Sequence, residues 1–367
     1  MPPTQPNELV LPRPAPVPPL RADAAVTDAL PPKAAAPRKR LRFVATLVLI
    51  GLLLNLLLPR IASLHGSLEV LRRLQPWWLL VGAGAQMVSR VAQGLTMRWM
   101  VAGRHRLSVW RATLINLAGW SVGLLAGGLV GFASATYGWL RDRGVRPEAA
   151  VLAGWLPPLL NAALVGLVAL VGATELLAAG KLSTAESIAM ASSLGILVAA
   201  GGALWFAALR PRPAIRAAAD VQLRFARLFR KPRPKRPGSS VQRLLRALRA
   251  MGRTGEWRLP MLGSVLVVVF DVLTLYFAFV AARHPVGFGV LMAGYGLPML
   301  IGKVLPVPGG VGLVEGSMFG SFVALGVPAP TAVLVVLAFR VLTFWIPNLL
   351  GMPVIPYLQS QPRVRAA

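Results

Sequence analysis

Two apolar stretches of this chain are interrupted by glycines in one pattern, Ala126-Gly-Gly-Leu-Val-Gly-Phe-Ala-Ser-Ala-Thr-Tyr-Gly138 and Pro308-Gly-Gly-Val-Gly-Leu-Val-Glu-Gly-Ser-Met-Phe-Gly320. Gly127, Gly128, Gly138 and Gly144 recur at Gly309, Gly310, Gly320 and Gly326, a constant offset of 309 − 127 = 182, and Ala150-Val-Leu recurs as Ala332-Val-Leu. Paired helix breaks constrain a fold strongly. Unwound backbone is tolerated at membrane depth only where it lines a polar cavity, so matching breaks in two halves mark a binding site of the kind transporters use. The plainer reading is a duplicated apolar scaffold whose glycine pairs coincide, since glycine is common in membrane helices.

Composition decides that a membrane is involved. With 56% hydrophobic and 14% charged residues and several apolar runs near the length of a bilayer crossing, the chain reads as an all-α polytopic membrane protein. A net charge of +27 invites a nucleic-acid reading. Most of that charge flanks apolar spans, where positive residues mark the cytoplasmic side, so no nucleic-acid partner is expected. The chain has no cysteine, and His65, His105 and His284 are scattered without ligand spacing, so neither a metal nor a cofactor is expected. Residues 1–37, with 11 prolines, read as a disordered tail, and 358–367 as a second one.

Full crossings are expected at 43–58, 77–100, 148–173, 186–209, 259–282 and 329–350. The linker from Arg210 to Arg258 carries 15 Lys/Arg against Asp220 and Glu256, 15 − 2 = +13, which assigns it to the cytoplasm. With a basic amino terminus also inside, helix one exits, helix two returns, and the loop of Arg104, Arg106 and Arg111 is cytoplasmic. A first broken segment that crossed fully would deliver the linker to the wrong side; one that enters and returns delivers it inside. The second broken segment then enters from the opposite face, and both termini are cytoplasmic in a multi-pass protein of the cell membrane. The expected fold is six transmembrane helices plus two re-entrant helical hairpins in an inverted repeat. Its membrane domain spans 38–357, with repeat one at 77–173, the linker at 210–258 and repeat two at 259–350. Such halves let a cavity open toward either face at similar energy.

Chemistry concentrates at the second break. Pro308, Gly309, Gly310 and Gly312 stop one half-helix and free backbone amides, and Glu315 starts the next, where it caps the helix or meets the cationic part of a headgroup or a proton. A half-helix amino terminus attracts anions such as a lipid phosphate. Arg340 is the expected phosphate contact, with an ion pair to Glu315 or Asp271 as its structural alternative. Asp271 and Arg90 also lie at apparent membrane depth, Gly127 and Gly128 form the first break, and Lys303 and Arg98 are expected nearer an interface, snorkelling. In the linker, Arg224, Arg227 and Arg230, then Arg243, Arg246 and Arg249, alternate with leucines and a phenylalanine as two short amphipathic helices on the anionic inner leaflet.

The run Leu305-Pro-Val-Pro-Gly-Gly-Val-Gly-Leu-Val-Glu315, then Leu325-Gly-Val-Pro328, then Arg340-Val-Leu-Thr-Phe-Trp-Ile-Pro347 and Gly351, resembles the lysylphosphatidylglycerol synthetase transmembrane-region, or flippase-like, family. The resemblance covers residues 40–357 and is tightest in the last sixth. It implies movement of modified phospholipids or polyprenyl-linked lipids between leaflets, with family positions falling on Pro308, Gly309, Gly310, Glu315 and Arg340. The first half departs from the family: where a Pro-Gly and an acid are usual, this chain has Ala126-Gly127-Gly128 and Phe132-Ala133. The chain ends near 367, so it is not expected to aminoacylate lipid itself. The resulting expectation is a non-enzymatic protein that binds anionic lipid headgroups and translocates them, with oligomerisation left open. A membrane-embedded enzyme using Asp271 and Glu315 on a lipid-linked substrate, or a noncatalytic scaffold, are the alternatives.

Overall fold

The computed structural model of the protein describes residues 74–101, 107–126, 128–178, 257–304 and 308–361, with isolated positions between 195 and 245, all within one compact unit, Leu47–Ala367. The helix expected at 43–58, Gly127, the amino-terminal tail and most residues of the helix expected at 186–209 and of the 210–258 linker lie outside the described residues.

Among the described residues every regular element is helical. The elements are α1 (Pro76–Met100), α2 (Val109–Leu125), α3 (Leu129–Arg141), α4 (Pro147–Ala178), α5 (Arg258–Ala281), α6 (Phe288–Val304), α7 (Leu313–Ala324), α8 (Ala329–Arg340) and α9 (Ile346–Ser360). A 3₁₀ turn, Pro308–Gly310, sits between α6 and α7, and a π turn, Val341–Trp345, joins α8 to α9. Among the described residues three stretches are long and apolar enough to cross a membrane: Pro147–Thr174, Arg258–Ala281 and Ala329–Ser360. The last runs ten residues past the expected end at 350, 360 − 350, with Pro353 and Pro356 inside the helix.

The 182-residue offset carries over to element boundaries. Pro76 + 182 gives 258, the starts of α1 and α5, and Pro147 + 182 gives 329, the starts of α4 and of the long helix α8–α9. The turn before each of these long helices is built the same way. Gly144 (φ 76°) and Gly326 (φ 89°) take the left-handed conformation that only glycine adopts cheaply. Val145 N–H donates to Leu140 O (3.1 Å) and Gly144 N–H to Arg141 O (3.0 Å); Val327 N–H donates to Phe322 O (2.9 Å) and Gly326 N–H to Val323 O (3.0 Å). These are two Schellman caps, each closed by a buried valine packed in the core with Leu140 or Phe322.

Helices α1 and α5 pack antiparallel. Gln75 N–H reaches Ala281 O (2.9 Å) at one end, Ser89 meets Asp271 in the middle, and Gly263 lies against Thr96 at the other. Two further packings cross between the halves: α4 packs on α6, and α9 packs on α2. Glycines permit this closeness. Gly172 and Gly296 of opposing helices lie against the backbones of Ala293 and Ala169, and Gly351 sits over Leu117 and Ser121. Small residues at such crossings are how membrane helices gain dispersion contacts without a hydrophobic driving force.

Candidate functional site

Both broken segments fold as helical hairpins. In the first, Gly128 (φ 64°) reverses the chain and its N–H donates to Gly123 O (2.7 Å), while Trp120 stacks on Phe132 with ring centroids 4.6 Å apart. Burial, and next the neighbouring Arg111 guanidinium, hold Arg143 below the ordinary arginine value. Arg111 opens α2 and Arg143 follows α3, so the two ends of this hairpin lie together. In the second, Gly294 accommodates the Phe322 ring and Gly302 accommodates Val314, which aligns α6 and α7 antiparallel. Gly309 (φ 66°), Gly310 (φ 64°) and Gly312 (φ 81°) all need the left-handed region, so the reversal is written in glycine.

The two tips meet. Leu124, in the last turn of α2, lies beside Gly309, as does the Phe344 ring. Next to this junction is a buried ion pair, Arg340 Nε to Glu315 Oε1 at 2.8 Å, with each side chain only 4% exposed. Each partner does a second job. Glu315 is the third residue of α7, and its Oε2 accepts from the Gly312 N–H (2.8 Å), one half of a capping box whose other half a glycine cannot supply. Arg340 Nη2 donates to Gly309 O (3.1 Å), and its guanidinium lies 4.2 Å from the Phe344 ring centre. One arginine therefore holds together the break, the start of the second half-helix and the π turn.

Asp271 belongs to a different network. Ser89 Oγ donates to Asp271 Oδ1 (2.8 Å); these two residues are 182 apart, so equivalent positions of the two halves touch each other. The Gln86 amide, oriented by its neighbours, donates to Asp271 Oδ1 (3.1 Å) and accepts from Arg90 Nε (2.9 Å). Arg90 Nη2 donates to Thr343 O (2.8 Å). That carbonyl lacks its normal helical donor, because the residue four positions on is Pro347, which has no N–H. Arg90 thus satisfies a backbone group that the π turn and proline leave open, tying α1 to the segment beside Arg340.

Of the residues read from sequence, the structure brings Gly309, Gly312, Glu315 and Arg340 into one cluster, with Gly310 beside Val314, and Arg90 and Asp271 into a second. Gly128 forms the first tip, Gly127 lies outside the described residues, and Pro308 is described in its backbone alone. Lys303 is in the last turn of α6, next to the hairpin tip, and donates to Asn161 Oδ1 (2.7 Å). Sequence reasoning alone does not single out Ser89, Gln86, Asn161 or Phe344. For Ser89 a signal exists, since 271 − 182 = 89, and for Thr343 the signal is Pro347 four residues on.

Glycine-hinged helical hairpins inside an apolar helical bundle, with a buried ion pair at the junction of their tips, define an integral membrane protein with a polar centre. Residues 43–351 match the family model described as the lysylphosphatidylglycerol synthase TM region, and the chain belongs to that family. It is 35% identical over 88 residues to a UPF0104 membrane protein of Methanothermobacter thermautotrophicus, covering 24% of this chain and 26% of that one. It is 28% identical over 146 residues to a UPF0104 membrane protein of Pyrococcus horikoshii, covering 36% and 44%. The matched stretches thus span less than half the length of these curated relatives.

Proposed function

We propose that this protein binds the phosphate-bearing headgroup of a phospholipid or polyprenyl-linked lipid between its two hairpin tips and moves it between leaflets of the cell membrane. The observation that carries the reading is the meeting of two glycine reversals beside the buried Glu315–Arg340 pair. A charged pair costs several kcal/mol per ion to desolvate, so placing one where backbone is already unwound favours a site over a scaffold. The lipid tails stay in hydrocarbon while the headgroup passes the junction, and Arg340 exchanges Glu315 for phosphate when the lipid enters.

In this reading the hairpins are re-entrant. Arms of 17 and 13 residues, then 17 and 12, rise about 18–26 Å at 1.5 Å per residue, short of the roughly 30 Å hydrocarbon core. The antiparallel course of α1 and α5 supports an inverted pair, since halves of equal orientation would set these helices parallel. Six crossings, cytoplasmic termini and a linker on the anionic inner leaflet complete it. Glu315 and Asp271 each have their own partners, which favours translocation over an enzyme needing paired carboxylates.

Reconstitution in vesicles with headgroup-labelled phosphatidylglycerol or polyprenyl phosphate tests this. Headgroup exposure that changes with time, without any new lipid species, is the expected result. A chemically altered lipid would mean an enzyme, and no change with either lipid would mean a scaffold.

A further inference from the structure

We propose that Lys303 and Asn161 form a docking point for a lipid phosphodiester, a polar subsite separate from the Glu315–Arg340 pair. The proposal rests on the membrane-embedded lipid site above and names the group that holds the phosphate before the pair opens.

Depth is the first argument. Asn161 stands at the centre of the apolar span Pro147–Thr174, whose midpoint is (147 + 174)/2 ≈ 160. Lys303 is in the last turn of α6 beside the hairpin tip and donates to Asn161 Oδ1 at 2.7 Å. The ammonium is therefore at mid-membrane rather than at an interface. Lysine at the centre of a span costs on the order of 2.5–3.5 kcal/mol on insertion scales, which makes it a functional group by default.

Charge balance is the second. Among the described residues at this level, Arg340 is matched by Glu315, and Arg90 is joined to Asp271 through Gln86. That leaves Lys303, exposed and hydrogen-bonded to a neutral amide. Asp271 acts on Lys303 through space, but Ser89 and Gln86 already hold its Oδ1. A cation at a helix carboxyl end is favoured by the dipole, which explains why a lysine is tolerated there but not why it is exposed and lacks its own carboxylate.

Donor chemistry is the third. The ammonium has three N–H groups and spends one on Asn161; the amide, accepting through Oδ1, still has two N–H donors. A point charge beside an amide suits the two non-bridging oxygens of a phosphodiester. By contrast, Arg340 has committed Nε and Nη2 to Glu315 and Gly309. Lys303 is the cation that can accept phosphate without first breaking a buried pair.

The test is calorimetric binding to the full-length protein in detergent, using dioctanoyl phosphatidylglycerol, dioctanoylglycerol and inorganic phosphate. Lys303→Met should weaken phosphatidylglycerol binding roughly tenfold or more, the loss expected for one charge-assisted hydrogen bond, while Lys303→Arg stays within about threefold. Asn161→Asp, which supplies Lys303 with its own carboxylate and keeps the pair folded, should lose binding as fully as Lys303→Met. Dioctanoylglycerol binding should be the same in all of them. Undiminished phosphatidylglycerol binding in Lys303→Met or Asn161→Asp would overturn the subsite, as would a Lys303→Arg protein as weak as Lys303→Met. Inorganic phosphate binding as tightly as the lipid would also overturn it, by making the site one for free anion. A wild-type protein that binds through Lys303 yet moves no labelled lipid in vesicles would sink the translocation and leave this subsite standing; translocation with binding indifferent to Lys303 would do the reverse.

Discussion

Arg340→Ala is expected to destabilise the folded protein by about 3–5 kcal/mol, because it strands the Glu315 carboxylate in a buried site. It should also lower lipid translocation by roughly tenfold or more, from the loss of at least one charge-assisted contact. Arg340→Lys should not rescue either effect. An ammonium is a single point charge, whereas the guanidinium reaches Glu315 through Nε and Gly309 O through Nη2 while lying over Phe344. The double variant Glu315→Gln with Arg340→Met separates the two effects. Replacing both members of a buried pair by uncharged groups of similar volume is often neutral for stability, so thermal melting should recover while translocation stays lost. Thermal shift in detergent and the vesicle assay read the two quantities. An Arg340→Ala protein with unchanged melting and full translocation would remove this residue from the site.

Gly172→Leu should prevent accumulation of stable protein. A Cβ on Gly172 would run into the backbone at Met292 and Ala293, which cannot step aside as a flexible side chain can, so α4 and α6 would be wedged apart. Gly138→Ala and Gly320→Ala are the matched controls. Both sites have helical φ and open space where a methyl group would stand, so alanine should be neutral or stabilising by up to about 1 kcal/mol from helix propensity. Fluorescence-detected size exclusion distinguishes these outcomes in one experiment, and a monodisperse Gly172→Leu protein at wild-type yield would contradict the α4–α6 contact.

Those controls also show what the repeated glycines mean. All four pairs look alike in the sequence, yet they do different work. Gly128, Gly309 and Gly310 reverse the hairpins, Gly144 and Gly326 close helix caps at positive φ, and Gly138 and Gly320 sit in ordinary helix with room to spare. Spacing reveals that a duplication exists, but not which copies the backbone requires. Helical spans are legible because runs of some 20 apolar residues have few other uses. Membership of a membrane-protein family is legible in the proline-glycine run, Glu315 and Arg340, and the family match over 43–351 agrees with it. Of the two readings of Glu315, the structure shows the helix cap, made through one oxygen; the other oxygen makes the ion pair that was the structural alternative for Arg340.

The polar networks are harder to read. Gln86, Ser89 and Asn161 are single polar residues inside apolar runs, with partners on helices more than 140 residues away, as in the 142-residue separation of Lys303 from Asn161. Local pattern carries no information about such pairs. The π turn is announced by Pro347, whose missing donor leaves Thr343 O for Arg90.

The central claim is that the two hairpins enter the membrane from opposite faces. The chain contains no cysteine, so single cysteines at Arg146, after the first hairpin, and at His284, before the second, can be labelled without background. With a membrane-impermeant maleimide applied to intact cells, the account predicts that the His284→Cys protein reacts from outside and the Arg146→Cys protein only after the membrane is opened. Labelling of both from the same side would contradict it.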